Sequence, residues 1–124
     1  MPPTPDALPS APLLVACLCA EWCGTCRDYR ETFRQLAARF EGLQFTWIDI
    51  EDEAELVDPI DVEDFPTLLI ARSDGAPLFF GPLTPQPETL ARLLQAHTGP
   101  GASPNPLSRP DLFALAGRIS ASRP

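Results

Sequence analysis

The amino-acid sequence predicts an α/β domain in which a central mixed sheet of about four strands is flanked by helices. An apolar run at residues 12–19 precedes an amphipathic pattern at residues 24–40, the strand-then-helix order that is typical of parallel sheets. Two later strand patterns, at residues 67–71 and 78–80, are separated by the turn sequence Ser73-Asp74-Gly75-Ala76. This hairpin makes the last two strands antiparallel, so the sheet is expected to be mixed.

The first half of the chain supplies two strands and two helical segments. Residues 12–19 are almost continuously apolar, as expected of a strand that is buried on both faces. Residues 24–40 place apolar side chains at three- and four-residue spacing, which predicts a helix with one buried face. Residues 44–50 are rich in β-branched and aromatic side chains and predict a second strand, parallel to the first. A short acidic helix-like segment is expected at residues 51–57.

A helix at residues 85–97 completes the predicted compact domain, which spans residues 11–98. Pro-rich segments flank this domain, a lead-in at residues 1–10 and a tail at residues 99–124. The tail contains one more helical pattern, at residues 110–119, with apolar residues on one face. Because isolated helices of this length rarely persist, we expect this helix to dock weakly on the domain. The alternative is a helix that binds a partner or forms a dimer.

The formal net charge of −8 argues against binding to nucleic acid or to an anionic membrane, because both repel an acidic protein. No apolar stretch is long enough to span a bilayer, and the first residues lack the basic charge of a secretory signal. We expect a cytoplasmic protein and a monomer. Residues 51–64 carry eight carboxylates and predict a solvated face, although a basic partner or a weakly held divalent cation would also suit them.

Two cysteines separated by two residues stand at the junction of the first strand and the first helix, in the sequence Trp22-Cys23-Gly24-Thr25-Cys26. Unpaired N–H groups and the positive end of the helix dipole favour the thiolate of Cys23, the form that attacks a disulfide. Cys26 lies one turn deeper on the core face and is expected to resolve the mixed disulfide. Gly24 allows the backbone to turn tightly. Thr25 offers a hydroxyl near the sulfurs, and Trp22 offers apolar surface beside Cys23.

A zinc site is the main alternative for this pair, and it would need two further ligands. Cys17 and Cys19 are the remaining cysteines, but they share one face of a strand and are better explained as small core residues. The single histidine, His97, ends the last helix of the domain and is expected at the surface. We therefore expect no bound metal. Cys17 and Cys19 have a second interpretation, as auxiliary thiols that approach the pair from the strand below and trap a mixed disulfide or sense oxidation.

Residues 20–26, Ala-Glu-Trp-Cys-Gly-Thr-Cys, resemble the active-site stretch of the thioredoxin family. Phe65-Pro66-Thr67 resembles the cis-proline loop of that family, and Gly75 and Gly81 fall close to where it carries glycines. The resemblance covers about residues 11–98 and implies a thioredoxin-like fold. It also implies that Pro66 is cis, packs against the dithiol, and leaves the Phe65 backbone open to pair with an extended substrate peptide.

The chain departs from the thioredoxin pattern around the dithiol. Cys17 stands where the family buries an aspartate that helps to deprotonate the resolving cysteine, and Trp47 stands where a lysine usually partners that aspartate. Cys19 replaces a tryptophan, and Glu31 replaces the proline that kinks the helix. Thr25 replaces the proline between the two cysteines. Without a buried base the resolving step should be slower, so we expect weaker general disulfide reductase activity than a typical thioredoxin shows.

These residues predict a thiol–disulfide oxidoreductase that acts on protein thiols and disulfides. Its redox group is expected to be the Cys23–Cys26 disulfide, with no bound cofactor, and the resemblance implies recycling by a thioredoxin-reductase-like partner. The alternative is a non-enzymatic adaptor or redox-sensing module that keeps the pair but turns over little. Because only 22 residues precede Cys23, the family's first strand and helix have no room here. We expect the sheet edge that they would cover to be open or covered by the tail.

Overall fold

The molecule is built around a sheet with the strand order β2-β1-β3-β4. The computed structural model describes residues 13–20, 24–40, 42–57, 60, 62, 66–72, 75–98 and 106–122. The elements are β1 (Leu14–Cys19), α1 (Gly24–Arg39), β2 (Gln44–Asp49), α2 (Ala54–Val57), β3 (Thr67–Ala71), β4 (Pro77–Pro82), α3 (Pro87–Thr98) and α4 (Pro110–Ser122). β1 pairs parallel with β2 and antiparallel with β3, and β3 pairs antiparallel with β4. The predicted mixed four-stranded sheet flanked by helices is confirmed.

β1 is a central strand, and all of its residues are buried. Successive side chains of a strand point to opposite faces, so its apolar run can serve two cores at once. The odd-numbered residues, from Val15 to Cys19, join a hydrophobic cluster with α1 and α3. The even-numbered residues, from Leu14 to Leu18, join a second cluster with α2 and α4. The two faces of one strand therefore hold the two halves of the core together.

α1 turns its apolar stripe toward the first of these clusters. The stripe consists of the buried residues Cys26, Tyr29, Phe33 and Leu36, whose spacing matches the helical repeat. Burying each large apolar side chain contributes about 1.5–3 kcal/mol, which fixes the rotation of the helix about its own axis. As a result Cys26 faces β1 and is removed from solvent.

Several elements differ from their predicted bounds by one to three residues, and α2 and β4 are two of them. α2 is a single turn within the segment predicted at residues 51–57. The preceding residues form a turn instead, because the Asp49 carboxylate accepts hydrogen bonds from the backbone N–H groups of Glu51 (2.8 Å) and Asp52 (3.1 Å). β4 is longer than the predicted strand at residues 78–80, because its pairing with β3 extends from Pro77 to Pro82.

α4 is part of the core, which corrects the expectation of a tail helix that docks weakly. Its apolar residues Leu112, Leu115, Ala116 and Ile119 are 0–1% exposed. They lie in the same cluster as the even-numbered residues of β1. The expectation was wrong because it considered the helix in isolation, whereas burial against the sheet supplies the stabilisation that a short helix lacks alone.

Local contacts fix where α4 begins and how it is held. Pro110 is its first residue, a position at which the missing N–H costs nothing. The Asp111 carboxylate accepts a hydrogen bond from the Leu112 N–H at 3.0 Å and lies at the positive end of the helix dipole. Farther along, Nε of Arg118 donates a hydrogen bond to the carbonyl oxygen of Leu56 at 2.9 Å. α4 is thereby tied to α2 as well as to the sheet.

Gly117 offers a direct test of this helix. It lies on the exposed side of α4, and a Cβ placed on it would have no neighbouring atom within 4 Å. We expect Gly117→Ala to raise the free energy of unfolding by about 0.5–1 kcal/mol, because alanine loses less backbone entropy in a helix. Denaturant unfolding measures this change. Gly75→Ala is the contrasting control, since Gly75 has a φ of 97° and should lose stability. A loss of stability in Gly117→Ala would contradict a helical position 117.

Candidate dithiol site

The candidate site lies where β1 ends and α1 begins. β1 ends at Cys19 with Ala20 directly after it, and α1 begins at Gly24. Gly24 and Thr25 are exposed in the first turn, whereas Cys26 is 1% exposed and faces the core. The predicted nucleophile Cys23 lies outside the described residues, as do Trp22 and Phe65.

Cys26 forms a disulfide with Cys19. Their Cα atoms are 5.8 Å apart, within the range that a disulfide requires, and both residues are 1% exposed. The carbonyl of Cys19 accepts a hydrogen bond from the Ile50 N–H at 2.9 Å, so pairing with the segment after β2 fixes its backbone. The sequence predicts a pairing of Cys26 with Cys23. In this structure the sulfur of Cys26 is occupied by Cys19 instead.

The sequence contains part of the signal for this contact. The two-residue alternation of β1 puts Cys17 and Cys19 on the face that meets α1, as the structure shows. Alternation does not reveal which of the neighbouring sulfurs Cys26 turns toward, because the side-chain rotamer decides that. The replacement of a bulky family tryptophan by Cys19 leaves this position to a small side chain that α1 can approach.

Cys17 is a buried free thiol beside this disulfide. Its Sγ is 3.8 Å from Sγ of Cys19. Burial raises the pKa of the Cys17 thiol far above its usual range, so it remains protonated at neutral pH. A protonated thiol is a poor nucleophile.

The surroundings of the disulfide contain no buried carboxylate among the described residues. Across the described residues, the side chains classed as buried and polar or charged are those of Thr46 and Thr67, and neither has a carboxylate. The hydroxyl of Tyr29 is also buried and has no hydrogen-bond partner within the described residues. Burial, and secondarily the nearby Cys17, raise the pKa of Tyr29, so its hydroxyl cannot act as a base near neutral pH. The described part of the site therefore offers no group ready to accept a proton.

A small cleft of about 160 Å³ lies beside Cys26, although only 1% of that residue is exposed. It is lined by Ala20, Cys26, Arg27, Arg30 and Trp47. The guanidinium of Arg30 lies over the Trp47 ring, 5.4 Å from its centroid, in a cation–π arrangement. The cleft therefore has two cationic side chains in the same wall as Cys26, and these favour an anionic reactant.

The other predicted support residues lie on neighbouring strands. Pro66 is buried, and its carbonyl accepts a hydrogen bond from the Leu83 N–H at 3.1 Å. The next residue, Thr67, pairs with Leu18, so Pro66 lies near the end of β1 that carries Cys19. Gly81 lies in β4, and a Cβ added there would meet only the Phe79 ring at 3.7 Å. Nothing in this structure therefore requires a glycine at position 81.

The remaining predicted sites stay separate from the dithiol. His97 is half-buried in the last turn of α3. Across the described ranges, no three His, Cys, Asp or Glu side chains are grouped so as to hold a metal ion. Within the same ranges, no helix combines the length and the apolar character needed to cross a membrane. Of the acidic segment, residues 51, 52 and 55 are exposed, and several of the remaining acids lie outside the described residues.

The sequence model of the thioredoxin family matches residues 7–87. This chain belongs to the thioredoxin family. Thioredoxin H2-1 of Oryza sativa subsp. japonica is 35% identical over 60 residues, which are 48% of this chain and 44% of that protein. Thioredoxin-1 of Caenorhabditis elegans is 28% identical over 57 residues, 46% of this chain and 50% of that protein. The chain thus spans about half the length, or less, of these curated relatives.

Solved thioredoxin structures superpose on most of the chain. Thioredoxin from Trypanosoma brucei brucei matches with a TM-score of 0.60 and 31% identity, covering 68% of this chain and 73% of that one. Thioredoxin from Fasciola hepatica matches with a TM-score of 0.64 and 23% identity, covering 71% and 83%. The second likeness bears on the fold alone, and it agrees with the mixed sheet described above.

Proposed function

We propose that this chain is a thiol–disulfide oxidoreductase that exchanges disulfides with protein substrates. The observation that carries the proposal is the disulfide of Cys26 at the strand–helix junction, in the stretch of residues 20–26 that resembles the active site of the family. It supports Cys26 as a sulfur that forms disulfides inside the folded domain. The membership of the chain in the thioredoxin family supports protein thiols and disulfides as the substrates.

The proposed reaction begins at Cys23, whose thiolate attacks a client disulfide. One client sulfur leaves as a thiolate, and the other remains bonded to Cys23. Cys26 then attacks the sulfur of Cys23, gives up its proton and releases the second client sulfur as a thiol. The client gains two electrons, and the Cys23–Cys26 pair loses them. Pro66 would shape the groove that holds the client peptide, and a thioredoxin-reductase-like partner would return the electrons.

The resolving step is expected to be slow in this protein. The described residues around Cys26 include no buried carboxylate, and burial keeps the Cys17 thiol protonated. Proton removal from Cys26 therefore relies on solvent or on the leaving client thiolate, and positioned bases normally accelerate such steps by about 10²–10⁴-fold. We propose a rate of general disulfide reduction below that of a typical thioredoxin, in a cytoplasmic setting where reducing equivalents are available.

A trapping experiment tests the proposal. Cys26→Ser removes the resolving sulfur, so Cys23 should accumulate mixed disulfides with oxidised insulin or with client proteins. These adducts should be released by dithiothreitol. Cys23→Ser should form none, and Cys17→Ala is the matched control that should behave as the parent protein. If the Cys26→Ser variant formed no adduct through Cys23, an oxidoreductase role would be refuted.

The alternative, a non-enzymatic adaptor or redox-sensing module, is favoured by one observation, the lack of a base near Cys26 among the described residues. The same experiment separates the two functions. An adaptor would capture the same partners whether its cysteines were intact or replaced by serine, and the complexes would survive dithiothreitol.

A further inference from the structure

We infer that Cys19 is a third redox-active cysteine. After a client has been reduced, the oxidised protein would hold its disulfide between Cys19 and Cys26. This inference rests on the proposed function and adds a residue to it. Cys23 would take part only transiently, and the buried couple would hold the oxidised state. Cys19 would thus be the residue that regenerates the thiol of Cys23.

The sulfur of Cys26 can belong to only one disulfide at a time. In the structure it belongs to Cys19, which lies directly across from it at the end of β1. Both residues are 1% exposed and lie in one hydrophobic cluster. The folded packing therefore holds the two sulfurs at bonding distance without moving either element.

The exchange can be written so that atoms and electrons balance. The sulfur of Cys19 attacks the Cys26 sulfur of a Cys23–Cys26 disulfide and gives up its proton. The Cys19–Cys26 bond forms, the Cys23–Cys26 bond breaks, and Cys23 leaves as a thiolate that takes up the proton. One disulfide is consumed and one is made, so no external oxidant or reductant is required. Over a full cycle the client gains two electrons, and the Cys19 and Cys26 thiols lose them.

Cys17 has no part in this disulfide, although it is close. Its Sγ is 3.8 Å from that of Cys19, yet in the structure it is Cys19 that is bonded to Cys26. Cys17 is therefore a matched control, a cysteine on the same strand and the same face with no expected part in exchange.

The cleft beside Cys26 provides a route for returning electrons to the couple. Because Arg27 and Arg30 line it together with Cys26, the cleft attracts an anionic thiolate to a wall that Cys26 helps to form. Attack on Cys26 would release Cys19, which remains inside the core. We therefore expect thiolate reductants to reduce the couple while the protein is folded.

A peptide map distinguishes the two disulfides. Cleavage after glutamate separates residues 1–21, which contain Cys17 and Cys19, from residues 22–31, which contain Cys23 and Cys26. Reduced protein is oxidised with oxidised dithiothreitol, quenched in acid, alkylated and cleaved. We expect the two peptides to be joined, in about tenfold or greater excess over an internal disulfide in the second peptide. An excess of the internal disulfide would overturn the inference.

Variants and a reversibility test complete the design. Cys19→Ala should abolish the joined peptides and leave the internal disulfide, whereas Cys17→Ala should keep them joined. Reduced dithiothreitol should open the bond in folded protein, and oxidised dithiothreitol should restore it. A bond that opens only in denaturant would be structural and would also overturn the inference. Insulin reduction is measured separately. If the protein did not reduce insulin but its Cys19–Cys26 disulfide opened and re-formed reversibly, the proposed function would be refuted and the redox role of Cys19 would stand.

Discussion

A chain that ends at residue 105 is expected to lose its cooperative unfolding transition. The truncation removes α4, whose Leu112, Leu115 and Ile119 are 0% exposed. At about 1.5–3 kcal/mol for each buried side chain, their loss approaches the whole stability of an ordinary domain, about 5–15 kcal/mol. It would also bare the even-numbered side of β1. Circular dichroism and calorimetry on the truncated and parent chains measure the effect.

A single substitution separates the effect of lost side-chain packing from the effect of removing the C-terminal segment. Leu115→Ala should lower the free energy of unfolding by about 2–5 kcal/mol, because it leaves a cavity against the sheet. Ser120→Ala, on the exposed side of the same helix, should change it by no more than about 0.5 kcal/mol. A truncated chain as stable as the parent would mean that α4 does not hold the second core.

Cys17→Asp is expected to accelerate the resolving step by on the order of 10²-fold, the lower end of what a positioned base contributes. The new carboxylate would lie next to Cys19 and therefore close to Cys26, where the described residues offer no base. Burial would raise its pKa toward the working pH, where an ionised carboxylate is most effective as a base. Single-turnover reduction of a disulfide peptide, followed from the mixed disulfide, measures the step.

The same substitution has a cost that its control reproduces. Burying a polar group without a hydrogen-bond partner lowers the free energy of unfolding by about 1–3 kcal/mol, so Cys17→Asp should be less stable than the parent. Cys17→Asn should carry the same cost without acceleration, because an amide does not accept a proton at neutral pH. Equal rates for the two variants would show that proton removal does not limit the reaction.

The sheet could be predicted from local patterns because burial on both faces of a strand and a tight turn between two strands each leave a distinct sequence pattern. The continuous apolar run of β1 indicates burial on both faces, and the turn sequence Ser73-Asp74-Gly75-Ala76 between two apolar strand patterns indicates a hairpin. Burial on both faces also requires a layer on each side. α1 and α3 supply one layer, and the single turn of α2 is too short to supply the other. Only the structure shows that α4 supplies that layer, because its helical pattern taken alone predicted weak docking.

The cysteine pairing could be predicted less well. The spacing of Cys23 and Cys26 indicates a dithiol, and the helical stripe correctly places Cys26 in the core. The same burial brings Cys26 within reach of Cys19 across the strand. A contact between residues of different elements depends on how closely the helix packs on the strand. Sequence periodicity predicts the face on which a residue lies, but it does not predict that distance.

The place of α4 has a consequence for biosynthesis. Leu14 and Ile119 lie in one cluster although they are about a hundred residues apart along the chain. A ribosome adds about 5–20 residues per second, so β1 emerges several seconds before the helix that covers it. During that interval the cysteines on its other side belong to an unfinished domain. Oxidants and chaperones that act on the nascent chain can therefore influence which cysteines of each molecule pair first.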